Sequence, residues 1–452
     1  MYIIYQNHRK RNEPAVVFSF IPVLGSAISF GSDPLHFLRS NTNRLGSTFC
    51  AVIAGNRTVF VNDPKDWQEI LRLPKSAMNF DDIGKEVLVS SFYMDSGTAD
   101  AVQFEGSKVL HGQFVKYLQG RDSIRSMTSL VRSSFSSQLS QLHLPPSSPV
   151  PLFATFSPLV FKATMTSLFG PDHPLVSDSA YTNFSTHDSI FPLLAGGAPS
   201  FLFPSSSSCS SNLRSQVLES TGLKGGLMEA RRSYFTSNLG LNPRATAAAQ
   251  AVIVWASSAN TIPSAVWSLA MISNDPVSLA RVRVELEGVE GEEGCGGADV
   301  DEMTYLDSCI HETLRLASSS LTVRKVNPLG YTLRGGTRLR GGDRVAIFPP
   351  LRHMDPLTFP NPKEWVGGRF VDDPALKSRV MPFGGGASKC PGRVFAVREV
   401  KVFVASILLQ FEVTVVGGTL PDFDKTRVGL GINGIEKGKD VMCILRRRGK
   451  RE

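Results

Sequence analysis

Cysteine is scarce in this chain. There are six in 452 residues, at Cys50, Cys209, Cys295, Cys309, Cys390 and Cys443. No two stand at C-x-x-C spacing, which argues against a zinc ribbon. So thin a supply also builds no disulfide scaffold. A transmembrane helix needs roughly 20 apolar residues and a secretory core roughly 7–15, and the N-terminus provides neither. No internal repeat is evident, and no G-x-x-x-x-G-K-[ST] phosphate loop occurs. What remains is a globular chain, 42% hydrophobic, with mostly free thiols in a reducing compartment. It is long enough for one large domain or two or three ordinary ones. Any thiol chemistry rests on one of the six.

The net charge of +8 favours acidic partners, whether nucleic acid, anionic membrane or an acidic protein, or is a modest surface excess. "MYIIYQNHRKRNEP" gives five mostly apolar residues and then His8, Arg9, Lys10 and Arg11. Residues 1–20 are expected to be the remnant of an N-terminal anchor with its cytosolic basic flank, the alternative being a frayed end. "AVVFSFIPVLGSAISFG" is broken by Pro22 and Gly25 and reads as a loop packed on a core or a membrane surface.

"STFCAVIAGNRTVFVND" alternates, with Gly55-Asn56 as a hairpin turn. From about 60 to 250 the pattern is mainly helical. "HLPPSSPVP" and "FPSSSSCSSN" read as mobile surface loops. A long helix then begins at Asn242-Pro243, an N-cap with proline at the first helical position. It runs to Asn274-Asp275-Pro276 and is apolar nearly all round, so it is buried. Its middle, "ASSANTIP", is polar, and Pro263 removes a backbone bond there. That marks either a site or a Ser/Thr/Asn cluster bonding back to its own helix. The loop "EGVEGEEGCGGADVDE" follows, then the helix "YLDSCIHETLRLAS" with Glu312 and Arg315 on one face. Short strands and an irregular proline- and aromatic-rich segment lead to Arg369.

"MPFGGGASKCPGRVFA", residues 381–396, surrounds Cys390 with glycine and runs into an apolar helix expected to start near Pro391. Glycines let a flat object approach the backbone. At a helix N-terminus, free N–H groups stabilise a thiolate. Such a thiolate suits the axial position of a haem iron. A nucleophilic cysteine would want a histidine base, and nothing in the sequence positions the nearest, His353.

Cys390 stands in F-x-x-G-x-x-x-C-x-G. Upstream lie E-x-x-R as "ETLR", an arginine closing a proline/aromatic segment, and a threonine at the polar kink of a long helix. The combination resembles the cytochrome P-450 superfamily over residues 20–448. "WASSANTIPSAVWSL" and "LPDFDKTRVGLGI" look like the group holding the sterol 7α- and 12α-hydroxylases and prostacyclin synthase. The central helix is most like that of the cholesterol and oxysterol 7α-hydroxylases.

The resemblance implies a mainly helical fold with a smaller β portion, residues 21–448 forming one domain around haem b. Cys390 would be the axial ligand, Phe383 would pack near the sulfur and Gly386 would permit the turn. Glu312, Arg315 and Arg369 would form a structural triad. Thr261 would help deliver protons. Asn260 stands where the superfamily usually has an acid and could hold water. Ser388 replaces a common Arg or His, and the W-x-x-x-R of an earlier helix is missing. Arg324, Ser388 and Lys116 are therefore the candidates for the haem propionates, with His111 a lesser one. Trp255, Ala256, Ala259, Ser320 and Leu321 would line the substrate pocket. Lys389, Arg393, Arg398 and Lys401 would dock an acidic NADPH–cytochrome P-450 reductase, unless they are scattered surface charges. The expected activity is O2- and NADPH-dependent hydroxylation of a lipid, a sterol above all, at the cytosolic face of the endoplasmic reticulum, with a membrane surface as partner and no nucleic acid. The alternative is a lipid endoperoxide isomerase of the prostacyclin-synthase type that needs no NADPH. A non-catalytic haem protein is a third reading.

Overall fold

The alternating run at 48–61 builds the hairpin that opens a small β portion. The computed structural model describes residues 12–19, 21, 23–145, 148–220, 222–288 and 300–449. Among these, the strands are β1 Ala15–Val16, β2 Thr48–Ile53, β3 Asn56–Val61, β4 Met78–Asn79, β5 Val150–Pro151, β6 Thr322–Val326, β7 Tyr331–Thr332, β8 Arg338–Leu339, β9 Arg344–Ile347, β10 Phe411–Val415 and β11 Met442–Arg447. Six form one sheet in the order β1-β2-β3-β9-β6-β4, and β10-β11-β5 form a second. The hairpin turn is Ala54-Gly55, because Ile53 already pairs with Asn56. Both turn residues take positive φ, 46° and 78°, as a two-residue hairpin of this twist requires. The turn lies one residue before the Gly55-Asn56 that the alternation predicts. The segment after Glu13 is not a plain loop either. Its β1 pairs with β2, and Ala27–Ser32 is a short helix. The basic run at 8–11 lies outside the described residues, as does most of the acidic loop with Cys295.

The rest is mainly helical. The central helix starts as expected, with Asn242 Oδ1 accepting from the Ala245 N–H at 2.9 Å. It is two segments, Pro243–Ser258 and Thr261–Asn274, parted at Ala259-Asn260. Pro263 has no N–H to give back across the break. The Ser264 hydroxyl bonds to the Asn260 carbonyl at 2.6 Å, and Ser268 to the Ser264 carbonyl at 2.7 Å. Part of the polar stretch thus satisfies its own backbone.

"FPSSSSCSSN" is not a loop but the start of a helix, Pro204–Glu219. Serine is a weak helix former, so tertiary packing decides here. Ser206 and Ser210 are buried, and Ser206 Oγ lies 2.8 Å from His187 Nδ1 on the neighbouring helix Asp178–Ala195. The main core joins the central helix, Leu152–Phe169 and Arg393–Gln410, with Phe156, Trp267 and Phe403 fully buried. Leu152–Phe169 is apolar enough to cross a membrane, but 78% of it is buried, as in a core helix.

Candidate functional site

Glu312 and Arg315 lie on the helix Thr304–Ala317 and have no exposed side-chain surface. Arg315 donates to both Glu312 oxygens, at 2.7 and 2.8 Å. Its remaining donors reach the carbonyls of His353, Pro362 and Glu364. Arg369, closing the proline-rich segment, donates to Glu312 Oε1 at 2.8 Å and to the Pro360 carbonyl. The structure therefore brings the three residues together, buried, with their donors taken up. Such a set is stable only when that condition holds. It fixes an irregular backbone that no sheet or helix supports.

His353 links this network to the cysteine loop. Its carbonyl accepts from Arg315, and its Nε2 accepts from the Met381 N–H at 3.0 Å. Burial and the Arg315 charge push its pKa down to about 3, so it is neutral. Nothing in the chain order positions His353. The structure does, as a strut and not as a base.

Cys390 is exposed, and its N–H donates to the Phe383 carbonyl at 3.0 Å. The helix after it begins at Arg393, with Gly392 as N-cap, two residues later than expected. Although the residue is exposed, the protein packed around its sulfur partly desolvates a thiolate and raises the thiol pKa, against N–H donors from Gly392 and Arg393 and the Arg393 charge that lower it. Gly386 has φ +63°, and a Cβ there would lie 2.2 Å from the Leu71 carbonyl oxygen, so only glycine fits. Phe383 is half-buried against the main core. Ser388 is exposed in the turn.

Arg324, on β6, is 2% exposed, and one donor reaches the Ile70 carbonyl. Its Nε and Nη2 are buried with no partner among the described residues. The same Nη2 is the atom a Cβ at Gly386 would approach at 2.8 Å. Two orphaned cationic donors beside a cysteine loop open to a flat object fit haem, whose propionates would satisfy them. Lys116 lies exposed on the helix Ser107–Gln119, its ammonium 5.1 Å from the Tyr117 ring centroid. His111 is exposed on the same helix.

On the central helix, Thr261 is 6% exposed. Its hydroxyl makes no hydrogen bond among the described residues, unlike Ser264 and Ser268. Asn260 is otherwise engaged. Its Oδ1 accepts from the Ile432 N–H at 2.8 Å, and a Cβ on Gly431 would lie 2.3 Å from that oxygen. Asn260 therefore clamps the loop 429–433, a role the sequence did not show. That bond leaves the two N–H donors of the Asn260 amide unused among the described residues, so the clamp is compatible with a water held there.

Ala256 is exposed on the helix. Ala259 is 3% exposed and belongs to the main core. Ser320 is buried, with its hydroxyl 3.1 Å from that of Ser318. Leu321 is partly buried and packs, as Val428 does, against the cluster that holds Phe60 and Phe348. Trp255 stacks on Phe191 with ring centroids 3.8 Å apart.

Two of the four basic residues expected on the docking face are unavailable. Lys401 is 5% exposed and pairs with Asp307 at 3.0 Å, and Arg398 pairs with Asp301 and is 8% exposed. The helix Arg393–Gln410 turns both inward, where desolvation demands a partner. Lys389 is exposed, and Arg393 donates to the Cys390 carbonyl. A cavity of about 570 Å³ separates the cysteine loop from Asp301 and Asp307.

The profile of the cytochrome P-450 family matches residues 226–437. Cytochrome P-450 7A1 of Rattus norvegicus is 29% identical, over 95% of this chain and 93% of its own length. Cholesterol 7-alpha-monooxygenase of Cricetulus griseus is 29% identical over the same shares. The 5-beta-cholestane-3-alpha,7-alpha-diol 12-alpha-hydroxylase of Sus scrofa is 28% identical over 94% of this chain and 91% of its own length.

Proposed function

The chain belongs to the cytochrome P-450 family and is a haem monooxygenase of it, and from that premise we propose that it hydroxylates a sterol or oxysterol with electrons from NADPH, delivered by a reductase. Similarity along nearly the whole chain to enzymes named for cholesterol and cholestane hydroxylation carries this reading. The aromatic wall of Phe92, Phe191 and Trp255 supports it, since stacked rings suit a flat, apolar ligand.

In this reading residues 21–448 form the haem domain. Haem iron held by a cysteine thiolate supplies the activation of molecular oxygen. Cys390 is the ligand, and Phe383 and Gly386 shape the loop that holds it. Arg324 receives the propionates, with Ser388 and Lys116 as outer donors. The triad of Glu312, Arg315 and Arg369 keeps the loop in place through His353. Thr261 Oγ1 is free to pass a proton toward the reacting oxygen. Ala256 and Leu321 face the substrate. Lys389 and Arg393, with the exposed Lys377 and Arg379, form the positive face for the reductase. The enzyme works at the cytosolic face of the endoplasmic reticulum. Exposed Phe18, Val23 and Ile28 near the N-terminus, and Phe201 and Leu202, are apolar surface for a membrane.

The test is a reconstitution. With a reductase, NADPH and a panel of cholesterol, oxysterols and cholestane diols, one oxygen atom from O2 should enter the product in proportion to NADPH consumed. Turnover of a lipid endoperoxide without NADPH, and none of any sterol with it, would favour an isomerase.

A further inference from the structure

Asp188 lies on the helix Asp178–Ala195. Its carboxylate receives side chains from two distant segments. Trp255 Nε1, on the central helix, donates to Oδ1 at 2.8 Å. Arg427, in the turn Lys425–Arg427, donates to Oδ2 at 2.7 Å and to Oδ1 at 3.1 Å. The Arg427 side chain is 9% exposed and that of Asp188 18%. One carboxylate thus ties together three segments of chain.

What it ties is the covering of the aromatic wall. One helical turn beyond Asp188, Phe191 is 1% exposed and stacks on Trp255. Phe92 meets both rings, at 5.4 and 5.7 Å. Leu430, three residues after Arg427, packs into the same cluster. Beyond it, Asn260 holds Ile432. The loop is therefore pinned at both ends, by Asp188 and by Asn260. A large ligand reaching Trp255 must part Phe191 from it, and the loop from the helix above. Parting them breaks a bidentate, charge-assisted pair that is mostly out of water, the kind of bond that resists opening.

We propose that Asp188 is a positioning residue that holds the helix Asp178–Ala195 shut over the substrate wall, and that its pair with Arg427 sets the rate at which bulky ligands enter and leave. The inference rests on the haem-protein reading and not on the identity of the sterol. Asp188→Asn keeps an oxygen for Trp255 and removes the charge that Arg427 needs. Arg427→Gln breaks the pair from the other side.

The experiment is stopped-flow binding to the full, haem-loaded chain with two probes, imidazole and a bulky triphenylmethyl imidazole, each read as a Soret shift. In Asp188→Asn the bulky azole should bind and leave faster by about five- to thirtyfold, the factor expected from losing one such pair, with imidazole rates unchanged. Arg427→Gln should do the same, and the double variant should be no faster than either single one, as coupled partners require. Bulky-azole rates at the starting level in either haem-loaded single variant, or an additive double variant, overturn the proposal. An equal change for imidazole also overturns it, because that reports general loosening. If the unaltered protein shifts with neither probe, the haem reading fails first.

Discussion

Glu312 and Arg369 stand 57 residues apart in the chain, yet Arg369 Nε donates to Glu312 Oε1 at 2.8 Å, with side chains 0% and 7% exposed. The same carboxylate oxygen accepts from the Val366 N–H at 3.2 Å. One carboxylate therefore fixes both the arginine and the backbone that presents it. Glu312→Ala leaves two guanidiniums buried without a counter-charge, at a cost of about 3–5 kcal/mol. Insoluble or haem-free protein is expected on expression. Haem content and melting temperature at the level of the unaltered chain would show that the network is dispensable.

Cys390→Ser tests the ligand. Reduced protein with carbon monoxide should show the strongly red-shifted Soret band of thiolate ligation, and the serine variant should lack it. The same band in both would move the ligand elsewhere.

Arg324→Leu separates cofactor binding from folding. Two of its donors are buried and unpaired among the described residues, and burial lowers its pKa. Replacing an unsatisfied buried cation with an apolar side chain should leave the haem-free protein as stable as before, or more so. Haem should be lost faster to an acceptor such as apomyoglobin. An unchanged haem loss rate would argue against a propionate contact.

Thr261→Ala addresses the proton path. Substrate affinity, read from the spin-state shift, should hardly move. NADPH consumption should continue while product falls and hydrogen peroxide accumulates. Full coupling in the variant would put the proton path elsewhere. Asn260→Ala should behave differently, weakening substrate binding by freeing the loop at Ile432.

Glu399 gives a pH dependence. It is 2% exposed, and burial pushes its carboxyl pKa up to about 8. No cation pairs with it among the described residues. Thr164 Oγ1 lies 2.6 Å from Glu399 Oε1 and 2.9 Å from the Val160 carbonyl. One hydroxyl hydrogen cannot serve both, so a protonated Glu399 donating to Thr164 satisfies the set. From the ordinary carboxyl value of 4.5 to about 8, the folded state holds a proton that the unfolded state releases. Its stabilising contribution is complete below that window and is lost as pH rises through about 8. Glu399→Gln should flatten the fall in melting temperature between about pH 5 and about pH 9 and should be the more stable at the alkaline end. Parallel curves would mean Glu399 ionises normally.

The chain order alone determined the family pattern, because glycines around one cysteine, an E-x-x-R helix and a polar kink in an apolar helix are local requirements of backbone and burial. Asn242, Pro243, Gly386 and Glu312 are legible for that reason, each constrained by its own turn or face. The tertiary structure decided what depends on partners distant in sequence. The helix at Pro204–Glu219 forms against serine's weak propensity because its buried face meets His187. Arg398 and Lys401 look like surface charge until Asp301 and Asp307 turn them inward. Asn260 shows its polar character in the sequence, but only the fold reveals that its oxygen accepts from the backbone of Ile432. Asp188 carries no local signal, since its donors come from 67 and 239 residues away. A polar side chain's role is set by which partner satisfies it on burial, and only the folded chain determines that.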